Sequence, residues 1–409
     1  MLAKLLQTAL FLFALSLSLG YAQTTLTMLR GEDEVMEAVI AAFEEENPDI
    51  SIDSIEIVDG GYEAAMQRLL LSVAAGDPPD LMRVGNNFIR TAVQNANAVP
   101  LEPFITSDST FNVNNLYESM TRLGEVDGQR YAVPVATSTP VLYYNEEAFV
   151  EAGLDPEAPP QTWDETLEAA EKLKEAGYQG IVWGWDITGN WIVQTMIESA
   201  GGRMGSEDGL TPMFNEEAGV RAAEYLDTLV ERELMPMVTE DDTLTLFASG
   251  TLGMVVHGSP HLFNLREDGD FTVRVAPVPT PDGSAPRLPA GGNGAVMFSQ
   301  DPEKQQAAWR FIRFLTEQAA GSILVENTGY VPATRSLVES LRAQGDDPDY
   351  QVIVSQAPNV VPWYAWPGAN STQIVQTIQD AFESILRQRQ EPEEALNAAA
   401  ESVQVLLER

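Results

Sequence analysis

YAVPVATSTPVLYYN, residues 131–145, is the stretch on which the architecture turns. It carries two short strand-like runs, Tyr131 to Ala136 and Val141 to Tyr144, separated by Thr137-Ser138-Thr139-Pro140. β-Branched and aromatic residues bounded by a proline-containing break read as strands. With strand and helix signals in alternation before it and long helices after it, the segment reads as a crossover from one lobe to another.

Upstream, Thr25 to Leu29 reads as a first strand, and Glu34 to Glu45 as an amphipathic helix with Val35, Met36, Val39, Ile40 and Phe43 at helical spacing. That helix stops at Asn47-Pro48, because a proline restricts the residue before it. Ile52 to Val58 gives the second strand, Gly60-Gly61 a turn, Tyr62 to Ala75 a helix and Asp80 to Val84 a third strand, reached through Gly76-Asp77-Pro78-Pro79. Strands and helices alternating at this spacing predict βαβ units and a mostly parallel sheet.

Downstream, helices are expected at Trp163 to Ala176, Trp191 to Ala200 and Glu216 to Glu231, and strands at Ile181 to Trp183, Leu252 to Val256 and Phe271 to Ala276. Pro277 to Gly294 has the composition of a connector and suggests a second crossing, with a strand resuming at Ala295 to Phe298. Helices follow at Pro302 to Leu315, Thr372 to Arg387 and Pro392 to Leu407. At 409 residues and 44% hydrophobic content the chain can fill two α/β cores.

The N-terminus, MLAKLLQTALFLFALSLSLGYAQ, has one positive charge at Lys4, an apolar run from Ala9 to Leu19 and small residues Gly20 and Ala22 before Gln23. This is the three-part pattern of a cleavable secretory signal over residues 1–22. The competing reading is an anchor, since Leu5 to Ala22 approaches spanning length. The chain has no cysteine, which excludes a disulfide framework, a thiol nucleophile, a thiolate metal site and a lipidated cysteine after the signal. Its formal charge of −38, from 61 acidic and 23 basic residues, disfavours nucleic acid as a partner, because no basic stripe exists to neutralise phosphates. Solubility explains the excess, and so does adaptation to a saline habitat.

Catalytic signals are weak. His257-Gly258-Ser259-Pro260-His261 lacks the glycines two residues either side of the serine that a nucleophile elbow needs. The two histidines, at i and i+4, would share a helix face and could ligate a metal. Pro260 and the Gly-Ser turn favour instead a loop that starts the next helix, capped by Ser259. Gly291-Gly292-Asn293-Gly294 matches neither a P-loop nor GxGxxG and reads as a flexible hinge turn. No cofactor or metal is indicated. What remains is aromatic: Trp183, Trp185, Trp191, Trp363, Tyr364 and Trp366 lie in or beside Gly, Pro and Asn. Flat rings next to amides and hydroxyls suit sugars, whose C–H faces are apolar while their rims need directional hydrogen bonds. For any one of these residues, core packing is the competing role.

In order along nearly the whole chain, several segments resemble the extracellular solute-binding proteins of ABC importers, the class that binds maltose, other sugars and glycerol 3-phosphate. They are Phe43-Glu44-Glu45-Glu46-Asn47-Pro48, Gly76-Asp77-Pro78-Pro79-Asp80, Thr139-Pro140-Val141-Leu142-Tyr143-Tyr144-Asn145, Ala152-Gly153-Leu154 through Pro160-Gln161-Thr162-Trp163, Gly253-Met254-Val255-Val256 and Asn327-Thr328-Gly329-Tyr330-Val331-Pro332. The resemblance implies a two-lobed periplasmic-binding-protein fold, each lobe a mostly parallel sheet flanked by helices and joined by crossing hinge strands. The lobes would comprise residues 23–136 with 291–335, and 137–290 with 336–409. It implies no chemistry. The ligand, contacting both lobes, would stabilise a closed form that the permease subunits recognise. A periplasmic monomer is expected.

Carried over by position, the resemblance implies a pocket of Tyr62, Asn86, Ser138, Trp191, Ser259, Gly292 and Tyr330, to which the aromatic reading adds Trp185 and Trp366. Hydroxyl, amide and backbone groups can bind a neutral sugar or polyol without burying a charge. The alternatives are a glycerol-3-phosphate or glycerophosphodiester receptor, to which Tyr143-Tyr144-Asn145 and the Thr328-Gly329-Tyr330 loop look closest, and a secreted carbohydrate-active enzyme. Glycerol-3-phosphate binders carry an arginine shortly before an Asn-x-x-Gln-Ile segment. Here Asn370-Ser371-Thr372-Gln373-Ile374 follows Trp363-Tyr364-Ala365-Trp366-Pro367-Gly368, with no basic residue between Arg342 and Arg387. Asn86 stands where that subgroup has an acidic residue.

Overall fold

The computed structural model describes residues 23–408, apart from 32–33, 58–60, 326–327, 346 and 369. The signal-like segment 1–22, Val58, Gly60 of the expected turn, Asn327 of the Asn-Thr-Gly-Tyr motif and Arg409 lie outside the described residues. In chain order the principal strands are β1 (Thr24–Gly31), β2 (Ile50–Ile57), β3 (Leu81–Gly85), β4 (Ala132–Ser138), β5 (Pro140–Asn145), β6 (Gln179–Trp183), β7 (Leu252–Gly258), β8 (Val273–Ala276) and β9 (Gly291–Met297). The principal helices are α1 (Glu34–Glu46), α2 (Gly61–Ala75), α3 (Trp163–Glu175), α4 (Trp191–Ser199), α5 (Glu217–Glu231), α6 (Pro302–Phe314), α7 (Gln318–Val325), α8 (Arg335–Gln344), α9 (Pro348–Ser355), α10 (Ser371–Leu386) and α11 (Pro392–Leu407).

Two sheets carry the lobes. The first has the order β2-β1-β3-β9-β4 and the second β8-β5-β7-β6. In the first sheet the side chains alternate between two apolar clusters: Leu81, Ala295 and Met297 face one layer of helices, Met82, Val84 and Val296 the other. That period of two is what a strand buried on both faces dictates. The larger core fills the second lobe and includes Leu116, Tyr117, Met120 and Leu123, which precede the crossover in sequence.

The α1 register is the expected one. Met36, Val39 and Phe43 are fully buried, and the Asn47 side chain donates to the Phe43 carbonyl oxygen, closing the helix just before Pro48. Similarly, α3 opens on a capping box between Thr162 and Glu165.

Three expectations change. Both sheets were expected to be mostly parallel, and β1 with β2, β1 with β3 and β6 with β7 are parallel. However, β9 runs antiparallel to β3 and β4, and β5 runs antiparallel to β7 and β8. Strands that enter a sheet from a crossing, rather than through a βαβ connection, are free to take the antiparallel direction. Second, Gly291-Gly292-Asn293-Gly294 is not a hinge turn but the buried first half of β9, between two neighbours. Third, Ser259 does not cap the next helix with its side chain: its Oγ accepts from the Thr139 N–H at 3.3 Å, bolting the β7 end to the crossover. Between α6 and α10 the chain adds the helices α7, α8 and α9, which the sequence does not announce; α7 packs on α1 and α9 on β8.

Candidate functional site

The floor between the lobes is built where three crossings meet. Gly291 pairs with Ser138 and Gly292 with Thr137. A Cβ on Gly291 would lie 2.2 Å from Ser138 Oγ and 2.7 Å from the Trp191 ring, so only glycine lets the three segments approach. Gly292 has φ +86°, a left-handed conformation that glycine adopts without strain. The third crossing is pinned by the Val331 N–H donating to the Thr137 carbonyl oxygen at 2.7 Å.

From the first lobe, the turn after β3 presents Asn86. Its Nδ2 donates to the carbonyl oxygens of Ala290 and Gly291, each at 3.1 Å, which fixes the amide and leaves its buried Oδ1 with no partner. The Oδ1 atoms of Asn87 and Asn190 are likewise buried without partners, and Asn190 Nδ2 is committed to the Val375 carbonyl oxygen at 3.3 Å. Because buried polar atoms are almost always paired, the unmet Oδ1 of Asn87, the one of the three that lines the cavity between the lobes, marks a place for a ligand's donor. Tyr62 packs its ring over Gly85 and accepts at its hydroxyl from Asn293 Nδ2 at 3.2 Å, while Arg83 Nε donates to Asn293 Oδ1 at 2.9 Å.

Facing these residues, the second lobe contributes rings whose polar tips are already committed. Trp191 Nε1 donates to the Pro289 carbonyl oxygen at 2.8 Å and Trp363 Nε1 to that of Gly189 at 3.1 Å. The Tyr364 hydroxyl donates to the Ser206 carbonyl oxygen at 3.1 Å, and burial pushes this phenol up to about 12. Tyr364 and Trp366 meet edge-on, 4.8 Å between centroids. A small cavity of about 40 Å³ lies between the walls, lined by Glu63, Asn87 and Phe88 of the first lobe and by Gly189, Tyr364, Ala365, Trp366, Ser371, Thr372 and Val375 of the second. Across it, the Thr188 hydroxyl donates to Glu63 Oε1, tying the lobes together.

Residues 38–352 match the family described as bacterial extracellular solute-binding protein. The chain belongs to this family. Among its relatives, the sn-glycerol-3-phosphate-binding periplasmic protein UgpB of Escherichia coli K12 is 28% identical, with 97% of this chain and 96% of that protein covered. The structure also superimposes on two solved proteins with a TM-score of 0.82. One is UgpB from Mycobacterium tuberculosis in complex with glycerophosphocholine, at 23% identity over 93% of this chain and 98% of that one. The other is the cyclic α-maltosyl-1,6-maltose binding protein from Arthrobacter globiformis, at 22% identity over 94% and 99%.

In this solute-binding protein, Tyr62, Asn86, Ser138, Trp191 and Gly292 converge at the head of β9. Ser259 is fully buried beside them, and Tyr330 joins through Gly329, where a Cβ would lie 2.2 Å from the Ser259 carbonyl oxygen. Trp366 faces the cavity from the opposite wall. Trp185 shares the second-lobe core with Trp191 and Trp366 but does not line this cavity. Glu63, Asn87, Thr188, Ser371 and Thr372 were not anticipated. Glu63 and Asn87 directly follow two residues that were, yet among 61 acidic residues nothing local marks Glu63. The His257 and His261 rings meet edge-on at 4.7 Å within the second lobe; burial holds His257 well below the usual imidazole range and His261 down to about 4. Among the described residues there is no cluster of three or more His, Cys, Asp or Glu side chains able to hold a metal ion.

Proposed function

We propose that this receptor captures a saccharide or polyol bearing no anionic group in the cleft between its lobes, closes on it, and presents it to the permease subunits of an ABC importer. In this reading it works as a periplasmic monomer, after removal of a signal over residues 1–22, and performs no chemistry. The moving units are residues 23–136 with 291–335, against 137–290 with 336–409. Ligand that touches both walls stabilises the closed form by its differential affinity, and the Glu63–Thr188 bridge is a closed-form contact of that kind.

The observation that carries the ligand class is the make-up of the cavity. Its described lining holds no Lys, Arg or His, its one charged side chain is the Glu63 carboxylate, and rings of Phe88, Tyr364 and Trp366 supply apolar faces. A phosphate ester closed in without a cationic partner would lose several kcal/mol, whereas a polyol meets amide and hydroxyl groups with its own. A glycerol phosphate is the competing ligand, favoured by the full-length similarity to UgpB. A thermal-shift screen against sugars, polyols and phosphate esters tests the choice, since a ligand at about 100 times its Kd stabilises the native state by about 2.7 kcal/mol. Saccharides should raise the melting temperature and sn-glycerol 3-phosphate should leave it unchanged; the reverse pattern overturns the proposal.

A further inference from the structure

We propose that, within the saccharide class, the cleft selects members carrying an amino group, protonated at neutral pH, over their hydroxyl counterparts. The inference rests on the reading of the protein as a saccharide receptor. Its first support is the kind of polar atom left open on the first-lobe wall. Glu63 offers a carboxylate, of which Oε1 accepts from the Thr188 hydroxyl, and the Oδ1 of Asn87, which lines the same cavity, is buried with no partner, as is that of Asn86, which does not line it. The donor end of Asn86 is already committed to Ala290 and Gly291. This wall therefore asks for donors. A hydroxyl brings one proton and two lone pairs that would face acceptors, whereas an ammonium brings three donors and no acceptor.

Charge points the same way. Glu63 is the only charged side chain among the described residues lining the cavity. The basic group that acts electrostatically on the Tyr364 end is Arg90, and it is bonded to Asp127 at 3.1 Å. Asp208 acts on the same tyrosine with the opposite sign. The rings of Tyr364 and Trp366, opposite Glu63, offer the negative face that a cation prefers. The lining's own donors, the start of α10 at Ser371 and Thr372, sit on the second-lobe wall, where they can take the hydroxyls of the same ligand. A net charge of −38 draws cations toward the receptor and repels anions before contact is made.

Calorimetry at about pH 7 and low ionic strength tests the inference with matched sets: hydroxyl, free-amine and N-acetyl members of the gluco, galacto and manno series, as mono- and disaccharides. In the set that fits the cleft, the free amine should bind about tenfold or more tighter than either counterpart, the range of a charge-assisted hydrogen bond. That ratio should narrow in about 0.5 M NaCl and fall to near one in Glu63→Gln. Because the ratio is read within each protein, a general loss of affinity in the variant does not mimic the result. Equal binding of amine and hydroxyl members, or a preference unchanged in Glu63→Gln, overturns the inference and leaves the receptor reading intact. No binding by any saccharide overturns both.

Discussion

The two walls of the cleft are made of opposite materials. On the first lobe, Tyr62, Glu63, Asn86 and Asn87 stand on the opening turn of α2 and the turn after β3, and the Oδ1 atoms of the two asparagines have no partner. On the second, Trp191, Trp363, Tyr364 and Trp366 pack ring against ring, and the indole N–H of Trp191 and of Trp363 and the hydroxyl of Tyr364 are held by backbone carbonyls. A wall with open polar atoms can discriminate among solutes. A wall whose polar atoms are committed offers shape and apolar surface, and its integrity is part of the lobe's core. Substitutions on the first wall should therefore alter binding with little effect on stability, and those on the second should alter both.

Trp366→Ala gives the largest expected effect. The residue is 4% exposed and meets Phe214 as well as Tyr364, so removing it should cost about 3–5 kcal/mol of unfolding free energy in urea and abolish saccharide binding. A variant of unchanged stability would remove the distinction between the walls.

Acid sensitivity should be a property of the second lobe. A histidine held neutral by burial takes its proton more readily in the unfolded chain. Its contribution is complete above about pH 6.5 and is lost as pH falls toward the folded value. For His261, held down to about 4, the loss over that window is about 3 kcal/mol. His257 adds to it in the same direction. Both ring nitrogens of His257 are buried without partners, so His257→Leu should flatten the fall of stability with acid. An unchanged pH profile in that variant would place the acid sensitivity elsewhere.

Where the walls join, Gly291→Ala should cost about 1–3 kcal/mol, because its methyl group would meet Ser138 and Trp191. A neutral result in chemical denaturation would mean that the crossings can separate without loss. The smallest stability effect is expected on the first wall: Asn87→Ala should change unfolding by no more than about 0.5 kcal/mol while weakening saccharide binding severalfold. A large loss of stability there would break the contrast from the other side.

Much of this organisation is legible in the sequence. Helix spacing in α1, the Asn47-Pro48 stop and the crossover at Thr139-Pro140 are local signals that match the structure's elements and their ends, while the aromatic run from Trp363 to Trp366 lies outside any helix or strand and reaches the cavity through Tyr364 and Trp366. The Gly291–Gly294 segment reads as a turn in sequence because what requires its glycines is distant: Ser138 and Trp191 crowd Gly291, and Ala132 and Val133 crowd Gly294. Glu63 escaped for a related reason. One carboxylate among many acquires meaning only when folding sets it across a cavity from Tyr364 and Trp366. Trp185 and Trp366 show the converse: both are buried in the same core, and only Trp366 also lines the cavity.

What the two walls enclose decides which solute the receptor takes. Titration calorimetry of the protein with sn-glycerol 3-phosphate and with saccharides, under identical conditions, measures that directly. Walls of acceptors and rings with no lining cation predict saccharide binding and a glycerol 3-phosphate response that is absent or far weaker. Tight binding of glycerol 3-phosphate with no response to any saccharide would contradict it.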